Sequence, residues 1–394
     1  MLTTYLFYAI FLIYGVWGTP TPEHIGYAEV SLGTILVFLS LPRLINLLKQ
    51  FNLSETGTIA LPALLITGLV LAAINGHSTT LISRDIIALL FVFLPFLLVL
   101  HNAALETLLT RGACFIGLAF SLRFIAGLDL TGLMNGTAFS DPHFSYLANS
   151  PLVLFSALYL LYKAAQTYQN TANPLTILSQ LFLSLAPITA MLLMQQRASM
   201  IAVAFYVFIL LIWTIYQTPG RGLLLSVFLF SSLYFLTPAL EPIYNLFYQK
   251  TLLSGMNMRF EEWYAVLDVI RHDWIFALFG QGWGASFISP AVGNVPIGFT
   301  HNIFSMYLLK TGFIGLGLIG LYLFSLIKNQ HKQITVAPIL FSSALIPFFI
   351  AITLYANFKS FGFGIILLLI AYGFEKQQKV TTKIYPVYQS DLSR

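Results

Sequence analysis

Long apolar runs separated by short polar steps dominate the chain. A helix that crosses a membrane needs about 20 mostly apolar residues. Runs of roughly that kind cover 2–18, 29–48, 58–74, 84–100, 110–127, 148–165, 175–194, 198–216, 221–237, 302–327, 336–356 and 361–374. The stretch from Pro174 to Tyr216 has room for two helices, and its one strongly polar step, Gln195-Gln196-Arg197, divides it. The first run begins at Leu2 with no basic residues before it and no small-residue cleavage site, so it reads as a retained helix. No long internal repeat is visible, which gives no support to an inverted-repeat transporter. The pattern predicts an all-α, polytopic membrane protein with about 12 transmembrane helices. Nine of them lie in 1–237, a polar segment follows at 238–300, three more helices occupy 301–374, and 375–394 is a basic tail.

Composition agrees and removes other classes. Hydrophobic residues make up 58% of the chain and charged residues 8%, against about 25% charged in ordinary soluble proteins. A soluble enzyme, a disordered chain and a nucleic-acid binder are excluded. The single cysteine, Cys114, allows no internal disulfide. The net charge of +5 is explained by topology. With the N-terminus in the cytoplasm, most Lys and Arg fall in short inner loops and the tail, as cytoplasmic loops require. The tail lysines 376, 379 and 383 suit an anionic inner leaflet. The polar segment 238–300 and a second loop at about 128–147 then lie outside. Chemistry is expected on that outer face, because the inner loops are too short for a nucleotide-binding domain and carry no phosphate-binding glycine loop.

Within 257–278 apolar residues recur at Phe260, Trp263, Leu267, Ile270 and Trp274, with Glu261, Glu262, Asp268, His272 and Asp273 opposite. That spacing predicts one amphipathic helix, lying at the membrane surface or over the bundle. Next come alternating glycines 280, 282 and 284 around Trp283, which permit unusual backbone angles and the close approach of a ligand. An irregular loop then ends at Thr300-His301-Asn302, before a helix carrying glycines 312, 315, 317 and 320. Small residues at that spacing favour close helix packing.

The ordered set Gln196-Arg197-Ala198-Ser199, Arg259 with Trp263, glycines 280/282/284, His301-Asn302, and Gly312 with Gly315 resembles the bacterial O-antigen ligase/polymerase family of integral-membrane glycosyltransferases. The likeness rests on residues 190–325, and beyond them on helix count and placement of the large loop. Gln196 stands where the family most often has Ser. The resemblance implies the lipid-linked-sugar (GT-C-like) glycosyltransferase fold, with one large periplasmic loop that contains helices. It implies an undecaprenyl-diphosphate-linked glycan as donor, the periplasmic face of the bacterial inner membrane as the place of reaction, and no cofactor or metal. Acceptors in the family are lipid A-core for ligases, a second lipid-linked glycan for polymerases, and protein for some relatives; the ligase-like reading leads. By this resemblance Arg197 and Arg259 bind the diphosphate and His301 is catalytic.

The residues themselves suit those roles. Arg197 opens a helix, where a cation opposes the helix dipole unless an anion is bound. Two arginines from separate segments make a plausible clamp for two phosphoryl groups. Histidine can take a proton at neutral pH, or orient a hydroxyl. The plain alternatives are snorkelling for Arg197, an ion pair with Glu261 or Glu262 for Arg259, and a satisfied interfacial histidine. Weaker candidates for substrate contact are Arg123, Lys310 as an intramembrane charge, Asn302, Trp283 as a sugar platform, and Gly282. Arg84-Asp85 reads as a helix end. A lipid-linked-sugar transporter and a non-enzymatic scaffold remain as other classes; the first requires a charged path through the bilayer, and the second has no need of the spaced Arg, Arg and His.

Overall fold

The computed structural model describes residues 2–20, 26–49, 55–98, 103–128, 146–170, 173–254 and 258–372. The basic tail and most of the second outer loop lie outside these. The described chain is mostly helical. Its order is α1 (Leu2–Val16), α2 (Tyr27–Lys49), α3 (Thr56–Ile74), α4 (Thr79–Val92), α5 (Leu94–Leu97), α6 (Ala103–Ala126), α7 (Pro151–Asn170), α8 (Pro174–Leu193), α9 (Arg197–Gln217) and α10 (Pro219–Ser254). Then follow α11 (Arg259–Arg271), α12 (Trp274–Phe279), strands β1 (Phe287–Ser289) and β2 (Val295–Ile297), α13 (Ile303–Lys328), α14 (His331–Val336), α15 (Pro338–Thr353), a 3-10 turn (Ala356–Lys359) and α16 (Phe361–Tyr372).

Every predicted span contains a helix, but six described helices are long and apolar enough to cross a membrane: α2, α3, α6, α8, α9 and α13. Helices α1, α15 and α16 are apolar but shorter. The run at 84–100 is interrupted at Phe93, one residue before Leu94-Pro95 opens α5. Helix α10 passes the expected boundary at 237 and continues unbroken to Ser254.

Two expectations are corrected between α10 and α13. The segment is not purely helical, since β1 and β2 pair antiparallel, with Phe287 opposite Ile297. The single amphipathic helix is two, because Asp273 leaves the helical conformation and its side chain accepts the Ile275 N–H at 2.9 Å, capping α12. The buried face of α11 takes in only Ile270 of the apolar stripe. Glu262, Val266 and Ile270 point inward, while Phe260 and Trp274 are exposed, Trp274 to 70%. In a soluble protein those aromatics would be inside. Beside a membrane they keep an apolar environment on the outside, which frees the inner face for a carboxylate.

The glycine loop is an internal joint. Gly280, Gly282 and Gly284 all have positive φ. A methyl at Gly282 would overlap the Leu71–Ala72 backbone of α3, and one at Gly280 the Lys310–Thr311 backbone of α13. Helix α13 is itself broken at Gly312, where φ is 63° and ψ −167°. At this break the carbonyls of Leu309 and Lys310 accept the N–H groups of Gln281 and Gly282, each at 2.9 Å. Gly312 and Gly315 are packed as expected, whereas Gly317 and Gly320 face open space.

Candidate functional site

Arg197 and Arg259 are each the first residue of a helix, α9 and α11. Neither helix has a side-chain cap: the Gln196 and Met258 side chains accept no backbone N–H of the first turn. At α9 the Arg197 N–H donates to Gln195 O at 3.1 Å and the Ala198 N–H is within reach of Tyr355 instead. The step before each helix is strained, with Gln195 and Met258 both at positive φ. Gln196 faces away, donating to Ala148 O at 2.8 Å and Asn149 Oδ1 at 2.9 Å and accepting from Ser199 Oγ at 2.9 Å. It holds the start of α9 against the start of α7, work that a serine at that position is too short to do.

The two arginines meet at Tyr355, just beyond α15. The Arg259 guanidinium lies over the Tyr355 ring, 5.6 Å from its centre. The Tyr355 hydroxyl is within reach of Ser199 and the Ala198 backbone and feels the charge of both arginines. Burial, and then those interactions acting against it, leave the phenol harder to ionise than usual. Burial also eases proton loss from Arg259; Tyr355 opposes this and the positive charge of Arg197 reinforces it. The Arg259 Nε is buried with no hydrogen-bond partner among the described residues. A cleft beside Tyr355 is lined by Asn149, Ser150, Gln196, Ser199 and Asn357.

One turn along α11 from Arg259, the Glu262 carboxylate is fully buried. It does not form the expected pair with Arg259. Its Oε1 accepts from Ser289 Oγ at 2.8 Å, and its Oε2 meets His301 Nδ1 at 2.7 Å and the His301 backbone N–H at 3.2 Å. Burial works to raise its pKa, but the bonds to His301 and Ser289 outweigh this and hold the carboxyl below its usual range. An ionised acceptor assigns the proton to Nδ1 and leaves Nε2 as the free base of the neutral ring. The His301 side chain is 33% exposed, so this ring remains open to a ligand. The hairpin explains itself here: β1 carries Ser289 to the hidden side of Glu262.

Arg197, Arg259 and His301 thus come to one region, joined through Tyr355 and Glu262. The weaker candidates do not join them in the expected way. Arg123 donates from Nη1 to Gly15 O at 3.0 Å and Gly18 O at 2.8 Å, closing the end of α1. Trp283 is fully buried and donates to Leu64 O at 3.1 Å, so no sugar can stack on it. Gly282 approaches α3 rather than a ligand. Asn302 Oδ1 accepts the Ser305 N–H at 2.8 Å and caps α13. Lys310 is buried in an ion pair with Asp85, and its Nζ also donates to Ala285 O at 3.1 Å. Asp85 is accordingly a mid-helix residue of α4, not a helix end, and it accepts the Gly284 N–H at 2.6 Å. Among the described residues no group of His, Cys, Asp and Glu is arranged to hold a metal ion.

Glu262 and Tyr355 are the residues that sequence reasoning missed. Glu262 lay on the side opposite the apolar stripe, and Tyr355 at the end of an apolar run. A polar step at Asn357-Phe358-Lys359-Ser360, like the one at 195–197, was the available signal.

Residues 182–320 match the family model described as O-antigen ligase. No curated protein is significantly similar to the chain.

Proposed function

Over residues 182–320 this chain is a member of the O-antigen ligase/polymerase family, and from that premise we propose that it transfers a glycan from undecaprenyl diphosphate to an acceptor hydroxyl. The observation that carries the proposal is the meeting at Tyr355 of two arginines, each opening a helix, beside an oriented histidine. Helix N–H groups and guanidinium groups both favour phosphate oxygens, and the partnerless Arg259 Nε adds an unused donor.

In this reading the diphosphate of the donor lies between Arg197 and Arg259, with Tyr355 between the guanidinium groups. The acceptor oxygen bonds to the anomeric carbon as the bond from that carbon to the diphosphate oxygen breaks. The bonding electrons leave with the diphosphate, and the hydroxyl proton passes to Nε2 of His301. One displacement inverts the anomeric centre. The arginines neutralise charge that grows on the leaving group, so they stabilise the transition state more than the bound donor; no metal is required. Glu262 holds the imidazole in the productive tautomer and offsets its charge once protonated.

The setting is the bacterial inner membrane, with both termini inside and the site on the periplasmic face. The ligase-like acceptor, lipid A-core in lipopolysaccharide biosynthesis, is preferred; an O-antigen or other polysaccharide polymerase, then a protein O-oligosaccharyltransferase, are the alternatives. A transporter of lipid-linked sugar fits less well. The deep charge it would need, Lys310, is closed off by Asp85.

The test is glycan transfer by the purified chain in detergent, without added metal. Arg259→Ala and His301→Ala are expected to lower the rate at least about 100-fold, within the range of general-base and electrostatic contributions. Wild-type rates in both variants would overturn the assignment. A deletion strain separates acceptors: free lipid-linked polymer accumulates without a ligase, and core bearing single repeats without a polymerase.

A further inference from the structure

A second positive centre lies around Phe299, close to His301 in the chain. Phe299 precedes His301 by two residues, so their backbones are at most about 7 Å apart. Three cations surround its ring: Lys359 Nζ at 4.2 Å from the ring centre, Lys310 Nζ at 5.4 Å and the Arg84 guanidinium at 5.7 Å. Among the described residues only Asp85 is there to balance them, and it is already bonded to Lys310 and to the Gly284 N–H. Lys359 and Arg84 make no ion pair or hydrogen bond among the described residues. Arg84 is exposed, and Lys359 is partly buried beside it.

A ring face attracts cations, but it does not remove the repulsion among three of them with one carboxylate. An ionisable group near a membrane is costly without a partner and is a functional candidate by default. The pKa of Lys359 supports this. Burial first, and then Arg84, draw it down to about 8, with Lys310 acting in the same direction and Asp85 against. Lys359 is therefore poorly compensated by the groups around it.

We infer that Arg84 and Lys359, over Phe299, form a second anion subsite that binds a phosphoryl group on the acceptor. This rests on the glycosyl-transfer reading in one respect, that the occupant is the acceptor. The donor diphosphate takes the arginines at Tyr355. The 3-10 turn Ala356–Lys359 carries Tyr355 just before one end and Lys359 at the other, so one short element joins the two positive centres. A phosphate held there brings the rest of its molecule to Nε2 of His301, the place of the attacking hydroxyl. Phosphorylated core sugar and a second lipid diphosphate both offer this chemistry.

The experiment uses the full chain in lipid nanodiscs. First, inorganic phosphate is titrated against an Arg197→Gln/Arg259→Gln protein, whose donor site is silenced, with thermal stabilisation as readout. Stabilisation is expected to persist, to disappear when Lys359→Met is added, and to weaken as pH rises through about 8. Ligand-free Lys359→Met should be no less stable than its parent, whereas a purely structural lysine would lower the melting temperature when removed. Second, transfer is measured with a phosphorylated core acceptor, the same acceptor after phosphatase treatment, and a lipid-diphosphate-linked acceptor. Lys359→Met should raise KM at least tenfold for whichever phosphorylated acceptor is the substrate, leave the donor KM within twofold, and be rescued by Lys359→Arg.

A rise in donor KM instead, or wild-type indifference to the acceptor's phosphate, would overturn the inference. So would phosphate stabilisation that ignores Lys359. Lysine-dependent phosphate binding with no transfer from any donor would support the anion site and count against the glycosyl-transfer reading.

Discussion

The Asp85–Lys310 pair makes a prediction that is independent of function. It ties α4 to α13 and, through Gly284 and Ala285, to the glycine loop. Both side chains are almost completely hidden, at 2% and 1% exposure. Lys310→Met keeps the length and volume of the side chain but leaves Asp85 as a buried, uncompensated carboxylate. Breaking such a pair from one side costs about 3–5 kcal/mol, and loss of the bond to Ala285 O adds about 1 kcal/mol. For a chain of this size that corresponds to a fall in melting temperature on the order of 10 °C. Asp85→Asn alone strands the ammonium and should cost a similar amount. The double variant removes both charges, and the asparagine oxygen can still accept the Gly284 N–H. It is expected to recover to within about 2 kcal/mol of wild type, giving a coupling energy well above the few tenths seen between independent sites. Tryptophan fluorescence during heating in detergent is a suitable assay, because Trp283 adjoins the loop the pair anchors. Additive losses, or a Lys310→Met protein within 1 kcal/mol of wild type, would refute the pair as a structural tie and return Lys310 to the functional candidates.

Three further outcomes are expected. Glu262→Gln replaces an acceptor of three hydrogen bonds with a group that must turn a donor toward one of its partners; bonds to a charged group are worth about 1.5–3 kcal/mol, so initial rates of transfer should fall roughly 100-fold, and unchanged rates would remove Glu262 from the mechanism. The native carboxyl of Glu262 is held below its usual pKa, so its contribution to stability is complete above the unfolded value near 4.5 and is lost as pH falls through the lower folded value; the slope of melting temperature against pH over that acid range should flatten in Glu262→Gln. Gly282→Ala meets both a positive φ and the α3 backbone and should cost at least about 2 kcal/mol, while Gly317→Ala, facing open space on α13, should be neutral or stabilise by up to about 1 kcal/mol in the same melting assay.

How much of this was legible depends on which rule each residue obeys. The polar step 195–197 inside a 43-residue stretch could mean only a break, and α8 and α9 divide there. Positive φ at glycines 280, 282 and 284 was equally readable, because alternating glycines in a loop have few other uses. What approaches them was not: the same freedom serves a ligand or a neighbouring helix, and here it serves α3 and α13. The expected place of the loop helix, at the membrane surface or over the bundle, left open which side faces inward, because an apolar stripe points to a core only when the outside is water; here Glu262 and Ile270 are inside while Phe260, and Trp274 at the start of α12, are out. The Asp85–Lys310 bond joins residues 225 positions apart, a contact that no local pattern carries. Tyr355 was hidden because the run 336–356 is apolar throughout, and only the polar residues after it marked the turn.

The charges themselves point the same way once they are sorted by what they touch. A cation at the edge of a bilayer must find a partner. Arg123 has two backbone carbonyls, Arg271 has Asp268 at 2.9 Å, and Lys310 has Asp85. These are satisfied within the protein, and Lys310, the most hidden of them, is also tightly bound. Depth in the membrane is therefore a poor guide to function here, although a deep charge is the usual candidate. Among the described residues, donors left without such a partner include the Nε of Arg259 and Lys359, which has a ring face. They lie toward opposite ends of the segment from Tyr355 to Lys359, and the ring under Lys359 is that of Phe299, two residues before a histidine oriented by a buried carboxylate. Two positive centres near one base repel one another. Anionic molecules between them would offset that repulsion, which is what the proposed transfer asks of a donor and an acceptor that both carry phosphate.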